Sequence, residues 1–253
     1  MVTLKQIRFR NDKFIYHFEY DFRFEMNKGF ARFSEFSESP SLRGTVFSLD
    51  EVLHITPDYL DIVLGHNIPS DALIKFMKVY TTNDVQHSRN KITNEEHQIL
   101  KMIPKYRKPG DFYIIATCKE TKGNFNAIDH EIAHAMYYLI PEYRRAVVTA
   151  MNYEQKRIGE TYYKSMQDIL TFKEYDSRVW EDEIHAFLVD LGLGSTGFFY
   201  GRDFKGFIRQ LKAGKIRFHH KYKLIAEVLS SLYHYFYKNE QDVSGEKAGK
   251  TIN

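Results

Sequence analysis

Two histidines four residues apart constrain this chain more than any other feature of its sequence. His130 and His134 stand in the segment His-Glu-Ile-Ala-His, with Glu131 directly after the first of them. On an α-helix, positions i and i+4 lie on one face, so both imidazoles can reach a single metal ion. Glu131 is rotated by about 100° from His130, which lets its carboxylate approach a water molecule beside that ion. The segment therefore predicts a helix that carries a metal site.

The residues around this segment predict that the helix is buried. Apolar side chains recur at intervals of three and four residues, at Ile128, Ile132, Ala135, Met136 and Leu139. Before them, residues 112–118 form a short apolar run that predicts a strand. Two histidines and a glutamate on a buried helix need partners, because burying unpaired polar groups costs free energy. This favours a metal site over a structural helix in which the two histidines are incidental.

The third metal ligand is expected from a distant segment. A catalytic zinc ion takes three protein ligands and keeps one position open for water, and residues 135–143 contain no further histidine. Glu183 is the best candidate, because it shares a predicted helical face with apolar neighbours and an acid there needs a cation. Ala186 on that face would let two helices approach closely. Glu181 and His185 remain open as ligands, and so does a salt-bridged surface position for Glu183.

An HExxH helix followed by a glutamate on a later helix resembles the gluzincin branch of the zincin metallopeptidases. The resemblance covers residues 110–190. It implies that His130, His134 and Glu183 bind Zn²⁺ and that Glu131 is the general base and acid.

One position departs from the gluzincin pattern. Many gluzincins place an aspartate four residues after the glutamate to orient the first histidine, and here that position is Phe187. The orienting carboxylate must then come from elsewhere. The candidates are Asp129, Asp182 and Asp190. If none of them serves, the assignment of Glu183 is wrong.

Two tyrosines are candidates for stabilising the oxyanion of an amide hydrolysis. Tyr138 lies four residues after His134 on the same predicted helical face, and Tyr200 follows a glycine-rich turn. Packing is the alternative role for both residues. Tyr138 is the stronger candidate of the two.

The N-terminal region predicts an antiparallel sheet rich in aromatic residues. Aromatic residues occupy every second position from Phe14 to Phe24, after a turn signal at Asn11-Asp12. A β-meander is expected over residues 7–37 and onward. A nucleic-acid stacking platform is the less favoured interpretation of this aromatic strip, because few Lys or Arg residues are interleaved in it. With the helices predicted elsewhere, the fold class is α+β, zincin-like.

The length of 253 residues allows one large domain or two small ones. We expect a β-meander with helices over residues 1–105, a zincin-like metal-binding region over 106–240 and a disordered tail over 241–253. A single continuous domain over residues 1–240 is the alternative.

The composition predicts a cytoplasmic protein. The single cysteine, Cys118, excludes both an intrachain disulfide and a cysteine-based zinc site. The sequence shows no signal peptide and no apolar run long enough to span a membrane. A net charge of +3 gives no support for nucleic-acid binding, and the sequence leaves the oligomeric state open.

These features predict a zinc metallopeptidase that acts on a peptide or protein substrate through a metal-activated water. One narrower form is a zincin that cleaves a single partner protein. The alternative is a non-catalytic module that binds nucleic acid or protein through the basic segment 202–223, with the HExxH helix structural. A solvated surface is the more common role of such a segment.

Overall fold

The structure, a computed structural model, describes residues 1–86, 90–103, 108–119, 127–158, 161–172, 175–192, 218–240 and 250–252. Contacts divide the chain into two compact units. Unit 1 comprises residues 1–120, 174–176 and 240–253, and unit 2 comprises residues 121–173 and 177–239. The aromatic N-terminal region therefore belongs to unit 1, and the HExxH segment belongs to unit 2. The α+β class is confirmed.

Unit 1 is built on a mixed β-sheet. Its strands are β1 (Val2–Phe9), β2 (Lys13–Tyr20), β3 (Gly65–Pro69), β4 (Phe112–Cys118) and β5 (Lys250–Ile252). Across the sheet, the strands lie in the order β3-β4-β2-β1-β5. The β1–β2, β1–β5 and β3–β4 pairs are antiparallel, whereas β2 and β4 pair in parallel. The prediction of an antiparallel sheet is wrong for that central pair, because the long helical segment between β2 and β4 permits a crossover.

Three residues join β1 to β2, and the chain turns at Asn11-Asp12 as predicted. Asn11 and Asp12 have φ values of 57° and 56°, which lie in the left-handed region that Asn and Asp tolerate best. Positive φ at both central residues is typical of a type I′ turn, whose twist matches that of the flanking strands. The turn fixes the register in which Phe9 pairs with Lys13.

A helix replaces the predicted β-meander. Helix α1 (Arg23–Glu38) begins three residues after β2 ends, and Phe22 and Phe24 are more than half exposed. Apolar residues of α1 recur at helical spacing and are buried, at Met26, Phe30 and Phe33. The predicted β-meander is wrong from residue 23 onward, because aromatic residues also favour strands and this concealed the helical spacing.

Short helices complete unit 1. They are α2 (Leu49–Ile55), α3 (Tyr59–Ile62), α4 (Ser70–Tyr80), α5 (Asn83–Gln86) and α6 (Asn94–Met102). Their aromatic and aliphatic side chains join those of β2, β4 and α1 in one apolar core. At the end of the chain, β5 forms a strand within the tail predicted to be disordered, because its backbone pairs with the edge of β1. Residues 241–249 of that tail lie outside the described residues.

Unit 2 consists of helices and their connections in its described residues. The helices are α7 (Ala127–Leu139), α8 (Pro141–Ile158), α9 (Thr161–Phe172), α10 (Trp180–Gly192) and α11 (Phe218–Glu240). Helix α7 contains the HExxH segment and packs against α10, which contains Glu183. The predicted helices at both positions are confirmed. Among the described residues of the whole chain, none of the helices meets the length and apolarity that a membrane span requires.

Candidate metal centre

Three predicted ligands come together between α7 and α10. The ligand atoms of His130, His134 and Glu183 lie within 4.8 Å of one another, and all three residues are buried. The Nε2 atoms of the two histidines are 3.1 Å apart, and His134 Nε2 is 3.7 Å from Glu183 Oε1. Donor atoms that are about 2.1 Å from a tetrahedral zinc ion lie about 3.4 Å from one another. The His130–His134 and His134–Glu183 donor pairs are each within about 0.3 Å of that spacing.

The packing of the two helices explains why the donors meet. Ala133 on α7 and Ala186 on α10 have 0% exposure, and such small side chains allow helix axes to approach closely. Glu183 lies one turn before Ala186 and is only 3% exposed. The alternative of a solvent-exposed Glu183 is therefore wrong.

Asp190 contacts the first histidine. The Nδ1–H of His130 donates to Asp190 Oδ2 at 3.1 Å, which leaves the lone pair of Nε2 directed toward the other donors. Phe187, where the gluzincin resemblance would imply an aspartate, places its ring 4.8 Å from the His130 ring. Residues 183, 187 and 190 share one face of α10. The carboxylate that contacts His130 thus lies at Asp190, one turn beyond Phe187 on that face.

Asp182 lies between His134, the second predicted ligand, and His185. Asp182 Oδ2 lies 3.1 Å from His134 Nδ1, and Asp182 Oδ1 lies 3.5 Å from Nδ1 of His185. On its other side, His185 Nε2 is 2.7 Å from the hydroxyl of Tyr143. His185 is fully buried. His185 is not one of the clustered donors, so the alternative in which it binds the metal is not supported. It lies instead beside Asp182, whose carboxylate also faces His134.

The carboxylates of the centre control the protonation of its histidines. Burial lowers the pKa of His134, but Asp182 and Glu183 outweigh burial and hold that pKa well above its ordinary value. Burial likewise opposes protonation of His130, and Asp190 outweighs it so that the pKa is raised. Burial raises the pKa of Asp182, yet His134 reverses this and brings it to about 2. The centre therefore strongly favours a positive charge between its carboxylates.

Glu131 stands beside the donors without joining them. It is 5% exposed, and burial raises its pKa to about 7 against the opposing effect of His130 and His134. Its Oε2 atom is buried and has no hydrogen-bond partner among the described residues. A buried carboxylate oxygen of this kind is free to accept a proton from a water molecule in the centre.

The remaining predicted residues lie around this centre or outside the described residues. Glu181 accepts a hydrogen bond from Tyr137 and is exposed, so it is not a clustered donor. Asp129 accepts a hydrogen bond of 2.8 Å from Tyr233, and Tyr138 is half-buried on α7. Tyr200 and residues 202–217 of the basic segment lie outside the described residues.

Sequence reasoning missed the roles of His185 and Tyr143. Tyr143 lies on α8, and only the tertiary packing of α8 against α10 brings its hydroxyl to His185. No periodicity in the sequence links the two residues. A buried histidine on the face opposite Glu183 was the one available signal, since such a side chain requires a polar partner.

Comparison with models of protein families, with curated proteins and with solved structures finds no match to this chain. The interpretation of the centre therefore depends on its own geometry and chemistry.

Proposed function

We propose that unit 2 binds one zinc ion and hydrolyses a peptide bond, as a zincin of the gluzincin type. The observation that supports this proposal most is the convergence of His130, His134 and Glu183 within 4.8 Å in a buried centre. Two nitrogens and one carboxylate oxygen form a ligand set that catalytic zinc uses, with a fourth position left for water.

The electrostatics of the centre supply a second argument for a cation. When Asp190 and Asp182 engage the Nδ1 side of each ring, the Nε2 lone pairs face one another at 3.1 Å. Facing lone pairs repel each other unless a proton or a metal ion lies between them. Buried carboxylates around both rings add to this demand.

The chain's own residues would divide the chemistry as follows. His130, His134 and Glu183 would hold the zinc ion, which when bound acidifies a water molecule and polarises the scissile carbonyl. Glu131 would take a proton from that water and pass it to the leaving nitrogen. Asp190 and Asp182 would keep each imidazole in the tautomer whose Nε2 lone pair points to the centre. Tyr138 remains the proposed hydrogen-bond donor to the oxyanion.

The proposed substrate is a peptide or a protein, and the narrower form is one partner protein. The proposed compartment is the cytoplasm, in keeping with a buried Cys118 that forms no disulfide. Nucleic acid is not proposed as a ligand.

The metal content and the role of Glu131 can be tested together. Metal analysis of the purified protein should give about one zinc per chain. Glu131→Gln should retain that zinc and lower the rate of peptide hydrolysis by about 100-fold or more, because it removes the proton acceptor and keeps the side-chain shape. Asp168→Asn, an exposed change of equal charge on α9, is the matched control and should retain the rate.

Three outcomes would contradict the proposal. These are the absence of zinc, iron as the bound metal, and full hydrolysis by Glu131→Gln. Salt-dependent binding of DNA or RNA that chelation leaves unchanged would instead favour the non-catalytic module that uses segment 202–223.

A further inference from the structure

A chain of three polar contacts leads from the second proposed metal ligand to a buried tyrosine within unit 2. His134 Nδ1 lies 3.1 Å from Asp182 Oδ2, and Asp182 Oδ1 lies 3.5 Å from His185 Nδ1. His185 Nε2 is in turn 2.7 Å from the hydroxyl of Tyr143. The two histidines and the tyrosine are each at most 1% exposed. The proposed function gives roles to His134 and Asp182 but none to the two residues at the far end of this chain.

The direction of the hydrogen bond between Tyr143 and His185 follows from its donors and acceptors. The Tyr143 hydroxyl has one proton to donate, and His185 Nε2 is its hydrogen-bond partner in the part of the chain that the structure describes. If a protonated Nε2 donated to the hydroxyl instead, the phenolic proton would be buried without an acceptor, which costs free energy. The hydroxyl therefore donates, and Nε2 accepts through its lone pair.

The other ring nitrogen of His185 then carries the proton. A neutral imidazole has a single N–H, and with Nε2 as the acceptor that N–H lies on Nδ1. This nitrogen faces Asp182 Oδ1 at 3.5 Å, where an N–H is attracted by the carboxylate and a lone pair would be repelled. Neither of these two atoms has a different hydrogen-bond partner among the described residues. Both ends of the ring therefore select the same tautomer.

Two tyrosine rings hold the His185 imidazole in this orientation. Tyr137 stacks on it with ring centroids 5.2 Å apart, and Tyr143 meets it edge to face at 5.3 Å. Close contacts on two sides of a buried ring restrict its rotation. The N–H of His185 is therefore held toward Asp182.

We propose that Tyr143 is a positioning residue of the metal centre, which acts through His185 to hold the Asp182 carboxylate against His134. The hydroxyl of Tyr143 selects the tautomer of His185, and the N–H of His185 then holds one oxygen of Asp182. The second oxygen of Asp182 keeps its place beside His134 Nδ1, so the Nε2 lone pair of His134 points to the other donors. This inference rests on the proposed zinc site, and it adds a third helix, α8, to those that shape the site.

The first experiment determines the tautomer of His185 without any metal. Nitrogen-15 NMR of the imidazole rings, recorded on chelator-treated protein at neutral pH, distinguishes a protonated ring nitrogen from an unprotonated one. Nδ1 of His185 should carry the proton. Tyr143→Phe should shift the Nε2 resonance of His185, because the hydrogen-bond donor to that atom is lost. Tyr153→Phe removes the same hydroxyl from a 67% exposed position on α8 and should leave the resonance unchanged. A proton on Nε2 of His185 in the unsubstituted protein would overturn the proposal.

The second experiment measures zinc affinity by competition with a chromophoric chelator. Tyr143→Phe should weaken zinc binding by about fivefold, a smaller loss than for Asp182→Asn because the effect passes through one further residue. Tyr153→Phe should change the affinity by no more than about twofold. His185→Asn removes the ring through which Tyr143 acts, so Tyr143→Phe should have no further effect in that background. Equal losses from Tyr143→Phe in both backgrounds would show that Tyr143 does not act through His185, and this would overturn the proposal.

The two experiments separate this proposal from that of the hydrolase. A protein that binds zinc and cleaves peptides, and whose zinc affinity is the same in Tyr143→Phe as in Tyr153→Phe, would overturn the role of Tyr143 alone. A protein that binds no zinc, although His185 has the expected tautomer, would overturn both the hydrolase and the positioning role. The contacts from His134 to Tyr143 would then serve only the fold of unit 2.

Discussion

Each unit has a buried polar network, and the two networks differ in how completely their charges and hydrogen-bonding groups are paired. In unit 1, the guanidinium of Arg32 donates to both carboxylate oxygens of Glu96 and to the carbonyls of Phe47, Asn90 and Lys91. All five of its N–H donors are thus used, and the two charges cancel. In unit 2, the carboxylates of Asp182, Glu183 and Asp190 surround two imidazoles, and one Glu131 oxygen has no partner among the described residues.

This difference separates a network whose charges are matched within the fold from one that, under the proposed function, binds a cation. The Arg32–Glu96 pair offers nothing to a ligand, because every donor already has an acceptor within unit 1. The unit 2 network has more negative groups than positive ones, and an added cation would lower its free energy. The incomplete matching of these buried groups supports the proposed cation site independently of any family resemblance.

The largest expected effect on stability comes from breaking the buried Arg32–Glu96 pair of unit 1. Arg32→Ala should lower the free energy of unfolding of unit 1 by about 3–5 kcal/mol, because it leaves the Glu96 charge buried without its partner. Hydrogen exchange of the β4 amides measures this loss in unit 1. Lys28→Ala, which removes only the exposed pair with Glu95, should cost less than about 1 kcal/mol. Equal losses in the two variants would show that the buried Arg32–Glu96 pair supports unit 1 no more than an exposed ion pair does.

A second prediction concerns the loss of stability of unit 1 in acid, where the buried and uncharged His66 has hydrogen-bond partners on both sides. Buried His66 lies between Ser34, whose hydroxyl is 2.7 Å from Nδ1, and Asn27, whose side-chain oxygen is 2.8 Å from Nε2. Burial lowers the pKa of His66 to about 3 and that of His17 to about 4. Below pH 6.5 the unfolded chain therefore binds protons that the folded unit does not. Stability is full above pH 6.5 and falls by up to about 1.4 kcal/mol per pH unit for each histidine, until pH reaches the folded-state pKa.

Hydrogen exchange of β4 between pH 4.5 and pH 7, corrected for the intrinsic exchange rate, measures this slope. His66→Gln should reduce it, since glutamine takes up no proton in this range. An unchanged slope in that variant would show that His66 is not the responsible group.

The smallest expected effects come from the residues that contact the proposed metal ligands. Asp182→Asn and Asp190→Asn should each weaken zinc binding by about 10–100-fold, because these carboxylates orient the imidazoles. Competition with a chromophoric chelator measures the affinity. The exposed change Asp168→Asn should alter it by no more than about twofold. If Asp182→Asn behaved like this control, Asp182 would have no orienting role.

His185 allows a finer test with two variants. The amide nitrogen of asparagine can stand near the position of Nδ1, which faces Asp182, whereas glutamine reaches the position of Nε2, which faces Tyr143. If His185 acts through Asp182, His185→Gln should weaken zinc binding more than His185→Asn, by about threefold. The reverse order would indicate that the contact with Tyr143 matters more.

Much of the centre could be predicted from the sequence, because it depends on helical periodicity. The spacing of His130 and His134 and the burial of Glu183 both follow from positions on single helices. The choice among three candidate aspartates did not follow, because it depends on how α7 and α10 pack. In unit 1, aromatic content indicated β2 correctly but misassigned α1, since the same residues suit a sheet face and a buried helix face. The parallel pairing of β2 with β4 joins segments distant in sequence, which local patterns do not report.

In the sequence, α8 and α9 lie between the proposed metal ligands of α7 and that of α10. A metal ion joining His134 to Glu183 would close that stretch into a loop and so restrict the freedom of its two helices. Proteolytic nicking in α8 and α9 would then depend on an ion whose proposed donors lie on α7 and α10. Chelation would then expose to protease two helices that lie between the proposed ligands in the sequence.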